Sequence, residues 1–326
     1  MLNHKILAAT RRLNDYFLYR DSLYPSLEIR RQSLRQCAQF GFLRRIDRQE
    51  IIEASRGRSL VAVDGSRADY GGLYPYNVCA IQVLARASTD NDPDRLAEAA
   101  VYCPLDPNLY AEISESAARN RVEEGEAYRR LMGEKMAHME IKLAFKALQI
   151  IKPYMLMLDG GFLLFDRFPE WNELVAQAIN LDCILVGVIE EVATSELCSL
   201  TGLEVPEIRI YDREFLFGLL KPGEMAVVGG EKAIKRDYYT VFARMGSTPQ
   251  AVACDFLPGQ EEHLLPAMNL IYSLTPPQGR GIPAWLDLVD REVRLNKKSM
   301  ESLVMNGLDP AVRERFFKSN RERRGL

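Results

Sequence analysis

Two short apolar runs in this chain end in an aspartate followed by glycine: Leu60-Val-Ala-Val-Asp64-Gly-Ser66 and Tyr154-Met-Leu-Met-Leu-Asp159-Gly-Gly161. A run of four or five residues rich in Val, Leu and Met and stopped by Gly predicts a buried strand, because a helix needs more length. Each run therefore delivers a carboxylate to the edge of a sheet. Hard ions such as Mg²⁺ and Mn²⁺ take oxygen ligands, so two acids at one sheet edge point to a divalent-metal site and metal-assisted phosphoryl chemistry. The plainer alternative is a pair of ordinary strand-end turns, since Asp and Gly are common turn residues.

Two more carboxylates occur where apolar residues are expected. On a long predicted helix, Met132, Met136, Glu140, Leu143 and Ala147 fall on one stripe, with Glu140 in its middle. A buried carboxylate has to be ion-paired, hydrogen-bonded or bound to metal, because burying it alone is costly. Glu123, Glu124, Glu126 and Glu134 lie among Arg and Lys and read as a solvated face. On the last predicted helix Leu286, Asp290 and Val293 share a face, and Asp287, Arg291 and Arg294 share the opposite one. Asp290 is then either a ligand or a buried acid paired with Arg291 or Arg294. Four carboxylates on four elements suit a two-metal phosphodiester hydrolase, in which the ions stand about 3.5–4 Å apart. Asp64 is the natural bridge. His138 is two residues from Glu140 and points elsewhere on a helix.

The elements that must position these acids can be read in outline. Residues 1–56 predict an amphipathic helical amino-terminal arm, 57–300 the main domain and 301–326 a basic tail. Strands are predicted to Asp64, over Asn77–Arg86 and over Ala99–Leu105, with a polar loop over Ser88–Asp94. A long helix follows from about Ile113 to Ile150, then the strand to Asp159, a helix over Pro169–Leu181 and a strand over Cys183–Ile189. That order is expected of an α/β protein with a ribonuclease H-like mixed sheet flanked by helices, in which the first and fourth strands lie side by side. Asp237–Met245 and Ala251–Phe256 predict a further strand pair. Pro283 opens a last helix, Ala284 to about Asn296.

Bulk composition narrows the chemistry. With 326 residues, 47% hydrophobic and 27% charged, the chain has the balance of a soluble globular protein of one large or two small domains. It has no run of about 18 apolar residues, and its start lacks a signal-peptide core, so a cytoplasmic location is expected. The six cysteines form no Cys-x-x-Cys pair, which argues against a zinc ribbon and a disulfide framework. The three histidines (His4, His138, His263) lack zinc-site spacing, leaving carboxylates as the main ligands. A net charge of −3 argues against a protein that coats nucleic acid unaided. Arginines nevertheless cluster near the start (Arg11, Arg12, Arg20, Arg30, Arg31, Arg35, Arg44, Arg45, Arg48) and the end (Arg313, Arg315, Arg321, Arg323, Arg324, with Lys318). Each cluster is either a backbone-tracking groove or a solvated helix face.

Taken in order, Val63-Asp64-Gly65-Ser66, Glu140, Leu158-Asp159-Gly160-Gly161, Leu185-Val-Gly-Val188 with Thr194 and Ser195, and Gly281-Ile-Pro283-Ala-Trp-Leu286-Asp-Leu-Val-Asp290 resemble the NurA family of DNA nucleases. The resemblance implies a ribonuclease H-like homodimer that resects DNA ends with Mn²⁺, as a 5′ to 3′ exonuclease and single-strand endonuclease, fed by a HerA-type hexameric ATPase. It makes Asp64, Glu140 and Asp159 metal ligands, with Asp290 the fourth. The chain departs from the family pattern at three places: Gly161 replaces a serine, Asp290 a histidine, and Glu190 and Glu191 stand where a lysine often follows. An aspartate at 290 implies a site more tolerant of Mg²⁺. Ser66, Tyr238 and Tyr239 are candidate substrate contacts, the tyrosines by stacking on unpaired bases. Asp212 and Asp255 also end apolar stretches, with no link to the site. Two other readings remain: an inactive nuclease-like scaffold that binds an ATPase or DNA, and an actin-like or sugar-kinase-like phosphotransferase. The chain has no Gly-x-x-x-x-Gly-Lys-Ser/Thr loop.

Overall fold

The computed structural model describes residues 2–89 and 96–318. Most of the polar loop expected at Ser88–Asp94, and Arg321, Arg323 and Arg324, lie outside the described residues. Strands are numbered along the chain: β1 (Gln39–Phe42), β2 (Leu60–Gly71), β3 (Asn77–Ala87), β4 (Ala97–Tyr102), β5 (Met155–Asp159), β6 (Ile184–Ile189), β7 (Glu224–Val228), β8 (Tyr239–Ala243) and β9 (Val252–Phe256). The chain forms two compact units, one of Ile46–Val188 with the chain from Pro283 onward, the other of Met1–Arg45 with Ile189–Ile282. No described helix is long and apolar enough to cross a membrane.

In the first unit the sheet order is β4-β3-β2-β5-β6. β2, β3 and β4 form an antiparallel meander, while β5 runs parallel to β2 and β6 parallel to β5. This is the ribonuclease H-like mixed sheet expected from the element order. The parallel strands are covered on both faces, which is why they read as unbroken apolar runs: Met155 to Leu158 are fully buried. The helix Glu124–Ile151 packs along β2 and β3 on one face. The helices Ala284–Val293 and Lys297–Gly307 pack along β2 on the other. There Met300, Val304 and Phe317 form a small core with Val78 and Ala80.

The expected helix from Ile113 to Ile150 is two helices, Pro107–Asn120 and Glu124–Ile151. Arg121 turns left-handed (φ 55°), its N–H bonding back to Ala117, and Glu123 then restarts the chain in extended backbone. The break uses neither Gly nor Pro, the residues that normally mark a stop in sequence. The helix that Pro283 opens likewise ends at Val293, before Asn296, and two more helices follow it, Lys297–Gly307 and Pro310–Phe316.

The second unit holds the antiparallel sheet β1-β7-β8-β9. β8 and β9 are the expected pair. β1 lies inside what reads as an all-helical arm, and its partner β7 is likewise absent from the sequence reading; at four and five residues, both are too short to show a period of two clearly. Several amino-terminal arginines are structural here. Arg30 donates to the carbonyls of Glu214 and Phe215, Arg31 pairs with Glu224, Arg20 with Glu214, and Arg45 donates to the carbonyls of Ser273 and Thr275. These four are held by carboxylates and backbone carbonyls of the same unit.

One arginine fixes where β5 and β6 begin. The Arg58 guanidinium donates to the carbonyls of Lys152 and Pro153, which lead into β5, and of Leu181 and Asp182, which lead into β6, at 2.6–3.1 Å. Arg58→Ala should lower unfolding stability by about 3 kcal/mol in denaturant melts, because charge-assisted bonds are lost and carbonyls stranded. Arg58→Lys should recover less than half, since an ammonium cannot reproduce the planar fork.

Candidate metal centre

Register brings the two strand-end aspartates together. β2 and β5 are parallel neighbours with Val63 opposite Leu158, so Asp64 and Asp159 leave adjacent strands at the same level. Asp64 is buried and Asp159 exposed. After Asp159 the chain turns through Gly160, whose φ of 121° suits glycine. The turn lies over Gly187 of β6, where a Cβ would stand 2.6 Å from the Gly160 carbonyl oxygen. This explains the glycine within the otherwise branched β6.

Glu140 arrives from the helix packed on one face of β2. Side chains alternate along a strand, so Asp64 and Ser66 face one way and Gly65 and Arg67 the other. Ser66 Oγ accepts the Leu295 N–H at 2.9 Å, placing its face under the closing helices. Gly65 therefore faces Glu140, and its missing side chain is what admits the carboxylate. A Cβ at position 65 would overlap Glu140 Oε1 and stand 2.9 Å from Met136 Cγ. The backbone of Gly65 is not left-handed, so the glycine serves space and not conformation.

Charge repulsion marks the cluster. Burial, then the charges of Asp159 and Asp290, push the Asp64 carboxyl up to about 7, against the opposing Gly65 N–H and Arg294. Burial, then Asp64 and Asp159, hold Glu140 well above the usual carboxylate range. Glu140 Oε2 is buried with no hydrogen-bond partner among the described residues. An orphaned acidic oxygen within electrostatic reach of two other carboxylates belongs to a donor set that a hard divalent cation would satisfy. As they stand, no three His, Cys, Asp or Glu side chains among the described residues close on one point. An ion would have to draw them inward.

Asp290 is within electrostatic reach of Asp64, but the facing of its helix differs from the sequence reading. Asp290 pairs with Arg294 one turn on, at 2.6 Å, and Asp287 pairs with Arg291. Arg294 thus joins the Asp290 side, because a residue four positions along a helix returns to the same face. Asp290 is half-buried, not buried.

The NurA domain profile matches residues 58–295. The chain belongs to the NurA family of nucleases. It is similar in fold to the NurA nuclease from Sulfolobus solfataricus, at 10% identity and TM-score 0.53, over 94% of this chain and 95% of that one. It is also similar to a NurA structure with manganese (12% identity, TM-score 0.51, 93% and 99% covered) and to a NurA structure bound to dAMP and manganese (12%, 0.52, 94% and 98%). No curated protein sequence matches the chain.

Within this NurA chain the remaining candidates separate. Ser66 is occupied as the anchor for Leu295. Tyr238 and Tyr239 belong to the second unit; Tyr238 is buried, which rules out base stacking by that ring, and Tyr239 lies against Gly229. His138 meets Glu170 at 2.7 Å and stacks on Phe168, away from the acids as expected. Asp212 caps the helix Glu196–Leu200 through the N–H groups of Leu197 and Cys198. Asp255 is buried with Lys235 and Thr240. Glu190 and Glu191 pair with Arg280 and Arg213. The sequence reading offered Arg294 as a partner for Asp290, although it set the two on opposite faces, and it missed the task of one residue that shapes the site, Gly65. Gly65 was visible only as a turn signal.

Gly65→Ala should push Glu140 out of its notch and cut cleavage about 100-fold or more, while costing about 1–3 kcal/mol of stability from overpacking. Retained activity would show that Glu140 does not need this approach. The raised acids also set a pH signature. An acid whose folded pKa exceeds its unfolded value binds its proton more tightly when folded, so metal-free stability falls as pH rises from about 4 to about 7. Asp64→Asn should therefore raise the metal-free melting temperature by several degrees at pH 8 and change it little at pH 4. Asp287→Asn, outside the cluster, should be nearly silent in both assays.

Proposed function

We propose that this chain is a divalent-metal-dependent deoxyribonuclease that hydrolyses phosphodiester bonds with Asp64, Glu140, Asp159 and Asp290. The observation that carries this reading is the partnerless Glu140 oxygen, admitted against Gly65 within electrostatic reach of the acids at the ends of β2 and β5. An inactive scaffold has no need of a cluster that works against its own folding. Family membership and a relative bound to dAMP and manganese support DNA as substrate and Mn²⁺ as cofactor, with Mg²⁺ accepted because all four donors are oxygen. Family membership also supports the finer reading: DNA end resection in repair, 5′ to 3′ exonuclease and single-strand endonuclease activity, a homodimer and a HerA-type ATPase partner.

When bound, a divalent ion supplies Lewis-acid polarisation of the phosphoryl oxygens and lowers the pKa of water. The chain's own residues set the conditions. Asp64 and Glu140 must lose their protons to act as ligands, so competence rises with pH through about 7. Arg294, beside Asp290, limits the repulsion on Asp64 and keeps it from rising further. The buried faces of β2 and β5 hold the two aspartates side by side at one level.

The test is cleavage of end-labelled single-stranded and 5′-overhang DNA in Mn²⁺, Mg²⁺ or chelator. Wild type should cut with either metal and not in chelator, faster at pH 8 than at pH 6. Asp159→Asn and Glu140→Gln should lose at least about 1,000-fold while folding normally, as expected where electrostatic stabilisation dominates. Cleavage that survives both substitutions would remove the carboxylates from the chemistry.

A further inference from the structure

A second feature of the first unit continues from the carboxylates. A cavity of about 460 Å³ opens between β2, the helix Glu124–Ile151 and the turn after β5. Four arginines line it (Arg67, Arg129, Arg130 and Arg167), all exposed, with one carboxylate, Glu134. Its floor is apolar, formed by Met136, Ala137 and Leu164.

The floor ties this cavity to the acids at two points. Met136 lies against Gly65, directly after Asp64, and is one helical turn before Glu140. Leu164 lies against Gly160, directly after Asp159: a Cβ there would stand 3.2 Å from Leu164 Cδ2. From Asp64, Arg67 is three residues along β2, about 10 Å at the rise of an extended strand. Arg67 Nη1 donates to the Arg129 carbonyl at 3.0 Å, which pins the strand arginine to the helix beside the second guanidinium. Four cations around one groove repel one another, and the acids they meet are few. Glu134 takes Arg167 at 3.4 Å, and Glu126 takes Arg130 on an exposed face. Such ion pairs on an exposed surface are weak and exchange readily for stronger anions.

We infer that this groove holds the sugar-phosphate backbone of one DNA strand as it leads to the carboxylates, with Arg67, Arg129, Arg130 and Arg167 on phosphates and Met136 and Leu164 under the sugars. The inference rests on the nuclease reading for the identity of its ligand, and on charge, floor and continuity for its place. It gives a chain of net charge −3 the local positive surface that nucleic-acid binding needs. It also separates two tasks: phosphate contacts set where the strand lies, and the acids act on the bond delivered to them.

The test is binding, measured without turnover. Fluorescence anisotropy of a labelled oligo(dT) in chelator is followed across 50–200 mM salt. Each phosphate contact to a single strand contributes about 0.7 to the slope of log affinity against log salt. The double variant Arg129→Gln/Arg130→Gln should bind about tenfold more weakly at 100 mM salt, with a slope shallower by about 1.4. Arg129→Lys/Arg130→Lys should recover most of both, since a phosphate contact needs charge more than a fork. A double variant with wild-type affinity and slope would overturn the groove, as would failure of wild type to bind at 50 mM salt. An equal loss from Arg11→Gln/Arg12→Gln on the first helix would show that binding follows net charge, and would also overturn it. Wild type that binds through these arginines but cuts nothing in Mn²⁺ would remove the nuclease reading and leave the groove standing.

Discussion

The site depends on one packing constraint: a helix must lie so close to β2 that the only residue able to stand beneath Glu140 is one without a side chain. Gly65 supplies that space. The resulting approach brings a third carboxylate within electrostatic reach of two others: Asp64 and Asp159 raise the cost of charging Glu140, and Asp159 raises that of charging Asp64. Nothing local would favour that arrangement. It persists because the rest of the helix is held by apolar contacts that do not depend on Glu140: Met132, Ile141, Leu143, Ala144, Ala147 and Leu148 are fully buried around it. Burial of each of the Met, Ile and Leu side chains among them contributes about 1.5–3 kcal/mol, enough together to hold one strained acid in place.

The same logic explains the division of labour within the sheet. β5 and β6 are buried on both faces and carry no polar group before Asp159, so they act as a rigid rail. β2 is longer and changes character along its length, from a fully buried start at Leu60–Val63 to an exposed end beyond Ser66. Asp64 sits at that change. One step further, Ser66 faces the closing helices and holds Leu295, and Arg67 faces the long helix and holds Arg129. Both faces of β2 are thereby clamped next to the acids, which limits how far Asp64 can relax from its neighbours.

Asp290 shows how a further acid is accommodated near Asp64. A histidine there would add a nitrogen donor and no fixed charge; the aspartate adds a fourth negative charge to a cluster already short of cations. Arg294 follows one helical turn later and neutralises part of it. The pair makes the closing helix a source of both an acid and its counter-charge. The two are separable, since the arginine is exposed and can swing away.

The two Asp-Gly strand ends, the acid in the apolar stripe and the order of the strands β2 to β6 were all legible in the sequence, because each depends on local period or on a residue out of place in its pattern. Asp64, Glu140 and Asp159 could be named as a set for that reason. The break at Arg121, the strands β1 and β7, and the facing of Arg294 were not legible. A left-handed turn without glycine, a strand of four residues and the last turn of a helix leave no periodic trace. Gly65 was read as a turn when its task is to make room, since the residue that would collide with a side chain there lies 75 positions away. Likewise Arg67 and Arg129 sit in unrelated stretches of sequence and become one basic groove only when strand and helix pack. The sequence determined which groups could do chemistry, and tertiary packing alone decided which of them meet, because proximity between distant residues comes from burial of the apolar surfaces that carry them.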